Sequence, residues 1–314
     1  MKLPYEEFDL SGITTYPLAS RASKAGADDF ASPYVPGSGI AGLLRSLPAI
    51  LAGADFRAAL RAIRGARDGG APVIWGLGAH VVKTGLGPVI VDLMEREFVS
   101  AVATNGALVI HDFEIALAGA TSEDVEAALG PGRFGMAQET GELLNRAIAE
   151  GVAAGLGIGQ AVGRFLLERK PPFADLSVQH AAARLGIPVT VHVALGTDII
   201  HMHPSASGAA LGEGSLRDFR YFAASVARLA GGVFVNCGSA VVLPEVFLKA
   251  VALARNRGVG LEGLTTVNFD FVRHYRPQMN VVQRPTQGVG RGLSIVGHHE
   301  LMIPLLAAAL VEGI

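Results

Sequence analysis

The stretch GTDIIHMHP at residues 196–204 sets an aspartate and two histidines directly after IPVTVHVAL, an apolar run that reads as a buried strand. A carboxylate beside an imidazole can grip a cationic amine, move a proton near neutrality or ligate a metal ion. Asp198 is therefore a candidate to hold an ammonium or orient a histidine, and His203 a candidate proton carrier with His201 beside it. Polar residues follow apolar runs elsewhere too: Thr104, Asn105 and Gly106 in TNG, Gly238 and Ser239 in CGS, Asp270 in NFD, and His298, His299 and Glu300 in GHHE. Open parallel sheets bind ligands where their strands end, so this repetition points to a site.

Seven of the nine histidines, His80, His111, His192, His201, His203, His298 and His299, fall beside apparent strand ends or helix starts. With Asp112, Glu114, Asp198 and Glu300 they offer nitrogen and oxygen donors for a divalent metal, and His-x-His on an extended segment would aim both rings to one side. HDFE and GHHE lack the spacing of helix-borne metal motifs, and no metal ligand set is assigned. The glycine-rich pieces GLGAHVVKTGLG at 76–87 and GLGIGQAVG at 155–163 do not reproduce Gly-x-Gly-x-x-Gly in a strand-to-helix turn. GSA at 238–240 is not a nucleophile elbow.

These residues need a scaffold. The chain has 314 residues, half of them hydrophobic and 17% charged, which is the composition of a folded domain with a core. A formal charge of -2 gives no footprint for nucleic acid or an acidic membrane, so a small molecule is the expected partner. The single cysteine, Cys237, excludes an internal disulfide. The start MKLPYEEFDL is acidic and broken by proline, and no apolar stretch is long enough to span a bilayer, so a cytoplasmic location is expected.

Residues 1–45, rich in Gly, Pro, Ser and Ala, read as an arm or loop-rich leader, and 46–314 as one α/β domain. Helical periodicity covers 40–66, 87–97, 134–168 and 177–186, with Ser122-Glu-Asp starting another helix. Short apolar runs at 72–77, 99–106, 187–195, 232–242 and 261–270 read as strands. Further helices lie between them, and the last follows GHHE. Strands apolar on both faces, alternating with helices, predict a doubly wound, mostly parallel sheet covered on both sides.

From residue 72 onward the order of elements resembles the deoxyhypusine synthase family. The matching pieces are GAHVVKTGL, ATNGA, IPV with GTDIIHMH, NCGSAVVLPEVFLKA, NFD and IPLL. NGALVIHDFEIALAG also resembles a segment of the ornithine cyclodeaminase-type enzymes of archaea and cyanobacteria. Both resemblances imply NAD on a Rossmann-type domain, oxidation of an amine, and a homo-oligomer, a tetramer in the synthase. They imply cofactor positions at His80, Thr84, Thr104, Asn105, Gly106, Gly238, Ser239 and Asp270. Asp198, His201, His203 and Lys249 would be catalytic, and Asp112, Glu114, Glu245, His298, His299 and Glu300 would face the substrate. The chain departs from the synthase pattern in lacking its imine-forming lysine: the five lysines are Lys2, Lys24, Lys83, Lys170 and Lys249, and the equivalent region offers Arg284. The expectation is an NAD-dependent enzyme on an amine, polyamine or amino acid that is not a true deoxyhypusine synthase. The alternatives are a metal-dependent hydrolase or lyase and a non-catalytic ligand-binding oligomer.

Overall fold

Apolar runs too short for helices and flanked by glycine or proline become strands. In the computed structural model, which describes residues 4–313, these are β1 (Val73–Leu77), β2 (Ala101–Asn105), β3 (Val189–His192), β4 (Val233–Cys237), β5 (Thr265–Asp270) and β6 (Arg291–Val296). They form one all-parallel sheet in the order β3-β2-β1-β4-β5-β6. The order reverses between β1 and β4, so helices from the two halves cover opposite faces.

Alternation along each strand sorts the core. Val73, Trp75 and Leu77 point into the cluster with Val235, Val267 and Leu293, which helices Leu51–Asp68, Gly106–Ala118 and His299–Val311 complete. Trp75 is fully buried and its indole N–H donates to Phe98 O at 3.0 Å, so no polar atom of the ring is stranded. Ile74 and Phe234 point the other way, against Phe222, Leu243 and Phe247 from helices Gly208–Val226 and Val242–Asn256. The Phe234 and Phe247 rings stack with centroids 3.9 Å apart.

At the β3 end of the sheet, side chains replace a missing neighbour strand. Asp218 Oδ2 accepts the Val191 amide at 2.9 Å and the Gly159 amide at 3.0 Å. Ser215 Oγ accepts from Val193 N and donates to Val191 O, both at 3.1 Å.

Several expectations need correction. β6 and the turns over Tyr275–Pro277 and Gln278–Gln283 were not foreseen. The 134–168 region, read as helical with glycine interruptions, starts later, as two helices, Gln138–Ala153 and Ile158–Arg169, with the interruption where Gly155 takes φ 86°. Ser122 sits at φ 71° and caps nothing, and Asp124 instead accepts from Ala127 N at the start of Val125–Leu129. On the helix Val242–Asn256, Leu253 is exposed, and Leu243, Phe247, Ala250 and Val251 face the core. Residues 4–38 hold only short turns and are exposed almost throughout, while Gly39–Ser46 is a helix whose Leu44 joins the core. Among the described residues no helix is long and apolar enough to cross a membrane.

Candidate functional site

The strand-end residues do meet at one edge, because every strand of a parallel sheet ends on the same side. There the glycine after a strand extends the ladder: Gly78 N donates to Cys237 O at 2.8 Å, Gly238 N to Phe269 O at 3.0 Å and Gly297 N to Asp270 O at 3.0 Å. These amides are thus committed to the sheet and not free to cradle a phosphate. A Cβ on Gly78 would lie 2.2 Å from Gly238 O, so the turns after β1 and β4 touch and glycine is required at 78.

Several anticipated site residues serve the scaffold. Thr104 Oγ1 donates to Leu77 O at 2.8 Å and Thr84 Oγ1 to His80 O at 2.9 Å. Asn105 Oδ1 accepts Leu108 N at 3.0 Å, capping Gly106–Ala118, and Ser239 Oγ accepts Leu243 N at 3.2 Å. Asp270 Oδ1 accepts Phe271 N at 2.9 Å. Asp112 is fully buried and accepts from Ser177 Oγ at 2.5 Å, Val178 N at 2.8 Å and Gln179 N at 3.0 Å, so it pins the helix Val178–Leu185 and does not face a ligand. Burial pushes its carboxyl up to about 6 against the pull of those three donors. Lys249 is exposed and paired with Glu245, which also meets Arg276 Nε at 3.3 Å and accepts Asn280 Nδ2 at 2.9 Å; Arg284 in turn donates to Asn280 Oδ1 at 2.7 Å. Lys249 is a helix-surface ion pair and Arg284 a support for its neighbour.

The opening motif folds otherwise than its spacing suggests. Ile199–Met202 is a tight 3-10 turn, not an extended segment, so the two histidines diverge. His201 turns back on Asp198, with Nε2 3.8 Å from Oδ2. Its Nδ1 accepts the Gly196 and Asp198 amides at 3.1 and 3.2 Å, which fixes the proton on Nε2, and that N–H is buried without a partner. His203 goes to Ser205 Oγ at 2.7 Å and lies on the helix Gln138–Ala153, where a Cβ on Gly141 would sit 2.3 Å from its ring. The histidine paired with Asp198 is therefore His201. A Cβ on Gly106 would lie 2.1 Å from Asp198 Oδ2, so this carboxylate rests on the first residue of the helix that follows β2. Burial raises its pKa and His201 opposes that shift.

One turn further up the same helix is a second histidine-carboxylate unit. Thr121 Oγ1 donates to Glu114 Oε2 at 2.5 Å, so it must accept from His111 Nδ1 at 2.7 Å; Thr140 Oγ1 also donates to Glu114, at 3.0 Å. His111 therefore carries its proton on Nδ1 and leaves Nε2 free as an acceptor. Burial lowers its pKa, Glu114 opposes that shift, and Lys83 adds to it.

The ends of β1, β5 and β6 carry a group of rings. His80 lies 5.8 Å from Phe271 and 5.7 Å from His299, and Phe271 is parallel to His298 at 6.2 Å. His299 is fully buried, with Nε2 on Phe269 O at 3.1 Å and Nδ1 unpartnered; His298 is exposed, 3.7 Å from Glu300. His192 is buried and pushed down to about 3, a neutral core histidine against Phe222. Among the described residues no three His, Cys, Asp or Glu side chains gather closely enough to hold a metal ion.

Sequence reading missed Thr121, Thr140, Phe271 and a buried pair one layer beneath the edge. Asn236 of β4 is in register with Asn268 of β5, Nδ2 to Oδ1 at 2.7 Å. The signal was there: an asparagine near the end of each of two otherwise apolar runs, VFVNC and TTVNFD.

The sheet order, its parallel strands and its two helix layers define a doubly wound, Rossmann-type α/β fold. No protein-family model and no curated protein sequence matches the chain. Among solved structures the fold is shared with a LOR/SDH-type protein of Methanococcus maripaludis, at TM-score 0.54 and 14% identity over 84% of this chain and 70% of that one. It is shared with AgrE in its ternary complex with ornithine and NAD+, at TM-score 0.50 and 16% identity over 82% of this chain and 32% of AgrE, so the chain spans about a third of AgrE's length. A protein of Entamoeba histolytica described as a deoxyhypusine synthase matches at TM-score 0.50 and 12% identity, over 90% of this chain and 96% of that one. At these identities the likeness is one of fold.

Proposed function

We propose that this chain binds NAD across the carboxyl ends of β1 and β4 and uses it in a reaction on an amine or amino acid. The observation that carries the reading is the reversal of strand order between β1 and β4 with a carboxylate beside it. Doubly wound sheets take dinucleotides in the crevice outside such a reversal, and an acidic group near the end of the second strand accepts the ribose 2′-hydroxyl. Here β2 ends in Asn105, which is spent on its helix cap, and Asp198 arrives from the loop after β3 to rest on Gly106. Asp198 is thereby assigned to the cofactor and not to the ammonium expected from the sequence, with the His201 Nε2–H facing it.

The residues fit the group on the ribose side. On the pyrophosphate side they depart from Gly-x-Gly-x-x-Gly, since Gly78 and Gly238 donate their amides to the sheet and the helix after β1 has only five residues. The fold shared with AgrE, solved with ornithine and NAD+, supports the substrate class. A bound nicotinamide supplies a hydride acceptor or donor. The chain's own part is acid-base work: His111 Nε2 accepts a proton from an ammonium or hydroxyl, while Thr121 and Glu114 hold the ring and favour the cation that forms. The synthase's imine-forming lysine has no counterpart in the equivalent region, since Lys249 is the last lysine of the sequence and pairs with Glu245 on the surface.

Calorimetric titration with NAD and NADP tests the reading, followed by turnover of ornithine and other amino acids read as NADH. NAD should bind, and NADP more weakly because its 2′-phosphate meets Asp198. Asp198→Asn should weaken NAD by roughly 10- to 100-fold, the loss of one charge-assisted hydrogen bond, without changing substrate KM. His111→Gln should lower kcat and leave NAD affinity intact. Folded protein that binds neither dinucleotide rules the proposal out.

A further inference from the structure

Among the described residues, those of 4–25 hydrogen-bond only to one another, as where Asp9 accepts Ser11 N at 2.9 Å and Ser11 Oγ at 2.8 Å. Yet this arm carries Tyr5, Phe8, Leu10, Ile13, Tyr16 and Leu18, each more than half exposed, with Tyr5 at 85% and Phe8 at 83%. A solvated linker is poor in such side chains, and a run of them left in water marks an interaction surface. The segment YEEFDL at 5–10 sets Glu6, Glu7 and Asp9 among the apolar residues. None of the three belongs to an ion pair among the described residues.

The complementary chemistry lies just after β5, in FVRHYR at 271–276. Phe271, Val272 and Tyr275 are exposed there, interleaved with Arg273 and Arg276. Arg276 and Lys249 share one carboxylate, Glu245, and Arg273 pairs with none among the described residues, so the loop keeps a positive excess on its surface. Within one chain both segments stay exposed, so neither covers the other. The arm is tied to the body only from Asp29, whose carbonyl accepts Ala49 N at 2.9 Å, and Ser32, whose amide donates to Ser46 O at 3.0 Å. From that tether to Leu10 an extended chain reaches roughly 60 Å, enough to cross onto a neighbouring molecule.

We propose that two copies of this chain exchange their arms, the acidic, aromatic YEEFDL of each docking on the basic, aromatic FVRHYR loop of the other. Glu6, Glu7 and Asp9 meet Arg273 and Arg276, while Tyr5, Phe8 and Leu10 cover Phe271, Val272 and Tyr275. The exchange is reciprocal, so it closes at two copies and leaves no open end. It does not depend on the dinucleotide reading.

Light scattering of the full chain after size exclusion reads the proposal. Wild type should be a dimer, or a multiple of one, at micromolar concentration. Glu6→Arg with Glu7→Arg, and separately Arg273→Glu with Arg276→Glu, should each weaken association about tenfold or more, since like charges then face each other. Circular dichroism should be unchanged in the arm variant, which touches no part of the core. An equimolar mixture of the two variants should associate again, because each arm then faces a loop of opposite charge, a rescue that docking within one chain does not give. Tyr5→Ser with Phe8→Ser should separate the copies by removing the apolar half of the contact. A monomeric wild type overturns the proposal, as does association that both arm variants leave unchanged, or a mixture of folded charge variants that stays apart.

Discussion

Asp218 holds β3 and the helix Ile158–Arg169 through one oxygen, and burial pushes its carboxyl up from 3.8 to about 7 against its amide donors. An unfolded chain ionises this group near its ordinary value. Between about pH 4 and 7 the folded protein therefore keeps a proton that the unfolded chain has lost, and stability falls as pH rises through that window. A gap of roughly three units at about 1.36 kcal/mol each sets the full effect at ~4 kcal/mol. Asp218→Asn keeps an oxygen for the two amides and abolishes the titration. The variant should therefore gain on the wild type by up to ~4 kcal/mol from about pH 4 to pH 8, read as urea unfolding free energies by circular dichroism. Asp112, raised to about 6, acts in the same direction, and His192, lowered to about 3, acts in the opposite one as pH falls below 6.5. Both are present in wild type and variant and cancel in the difference. Asp218→Ala strands the Val191 and Gly159 amides, a loss of about 2–6 kcal/mol at about 1–3 each. An asparagine variant whose difference from wild type is flat with pH, or an alanine variant as stable as wild type at pH 4, where Asp218 is protonated, would refute this account.

Gly78→Ala should destabilise by about 1–3 kcal/mol, because its backbone conformation suits alanine but the methyl group would drive the β1 and β4 turns apart. Thermal unfolding reads that loss, and NAD affinity should fall with it. Asp112→Ala leaves Ser177 Oγ and two helix amides unpaired and should remove at least about 3 kcal/mol in denaturant titrations.

The sheet, and the gathering of polar residues at its strand ends, were legible in the sequence for one reason: a parallel sheet hidden on both faces needs uninterrupted apolar runs, and polar residues then collect where those runs stop. RGLSIV escaped because β6 is an edge strand, where only Leu293 and Ile295 are fully buried and a glycine and a serine break the run. The pairing within GTDIIHMHP escaped because a 3-10 turn reverses His201 onto Asp198, and spacing alone cannot distinguish that turn from an extended segment. Asp112 looked like a ligand-facing carboxylate because its partners, Ser177, Val178 and Gln179, lie far along the chain and only the packing of two helices brings them in. His111, Thr121 and Glu114 were within ten residues of one another, yet the hydroxyl that sets the histidine tautomer carries no motif.

The two margins of the sheet are chemically unlike. Asp218 and Ser215 already consume outward amides and a carbonyl of β3, so a strand from another molecule would find no ladder to join there. β6 has β5 as its sole strand neighbour, and among the described residues no side chain hydrogen-bonds to its backbone. Of the two margins, only that of β6 is left without side-chain hydrogen bonds to its strand among the described residues.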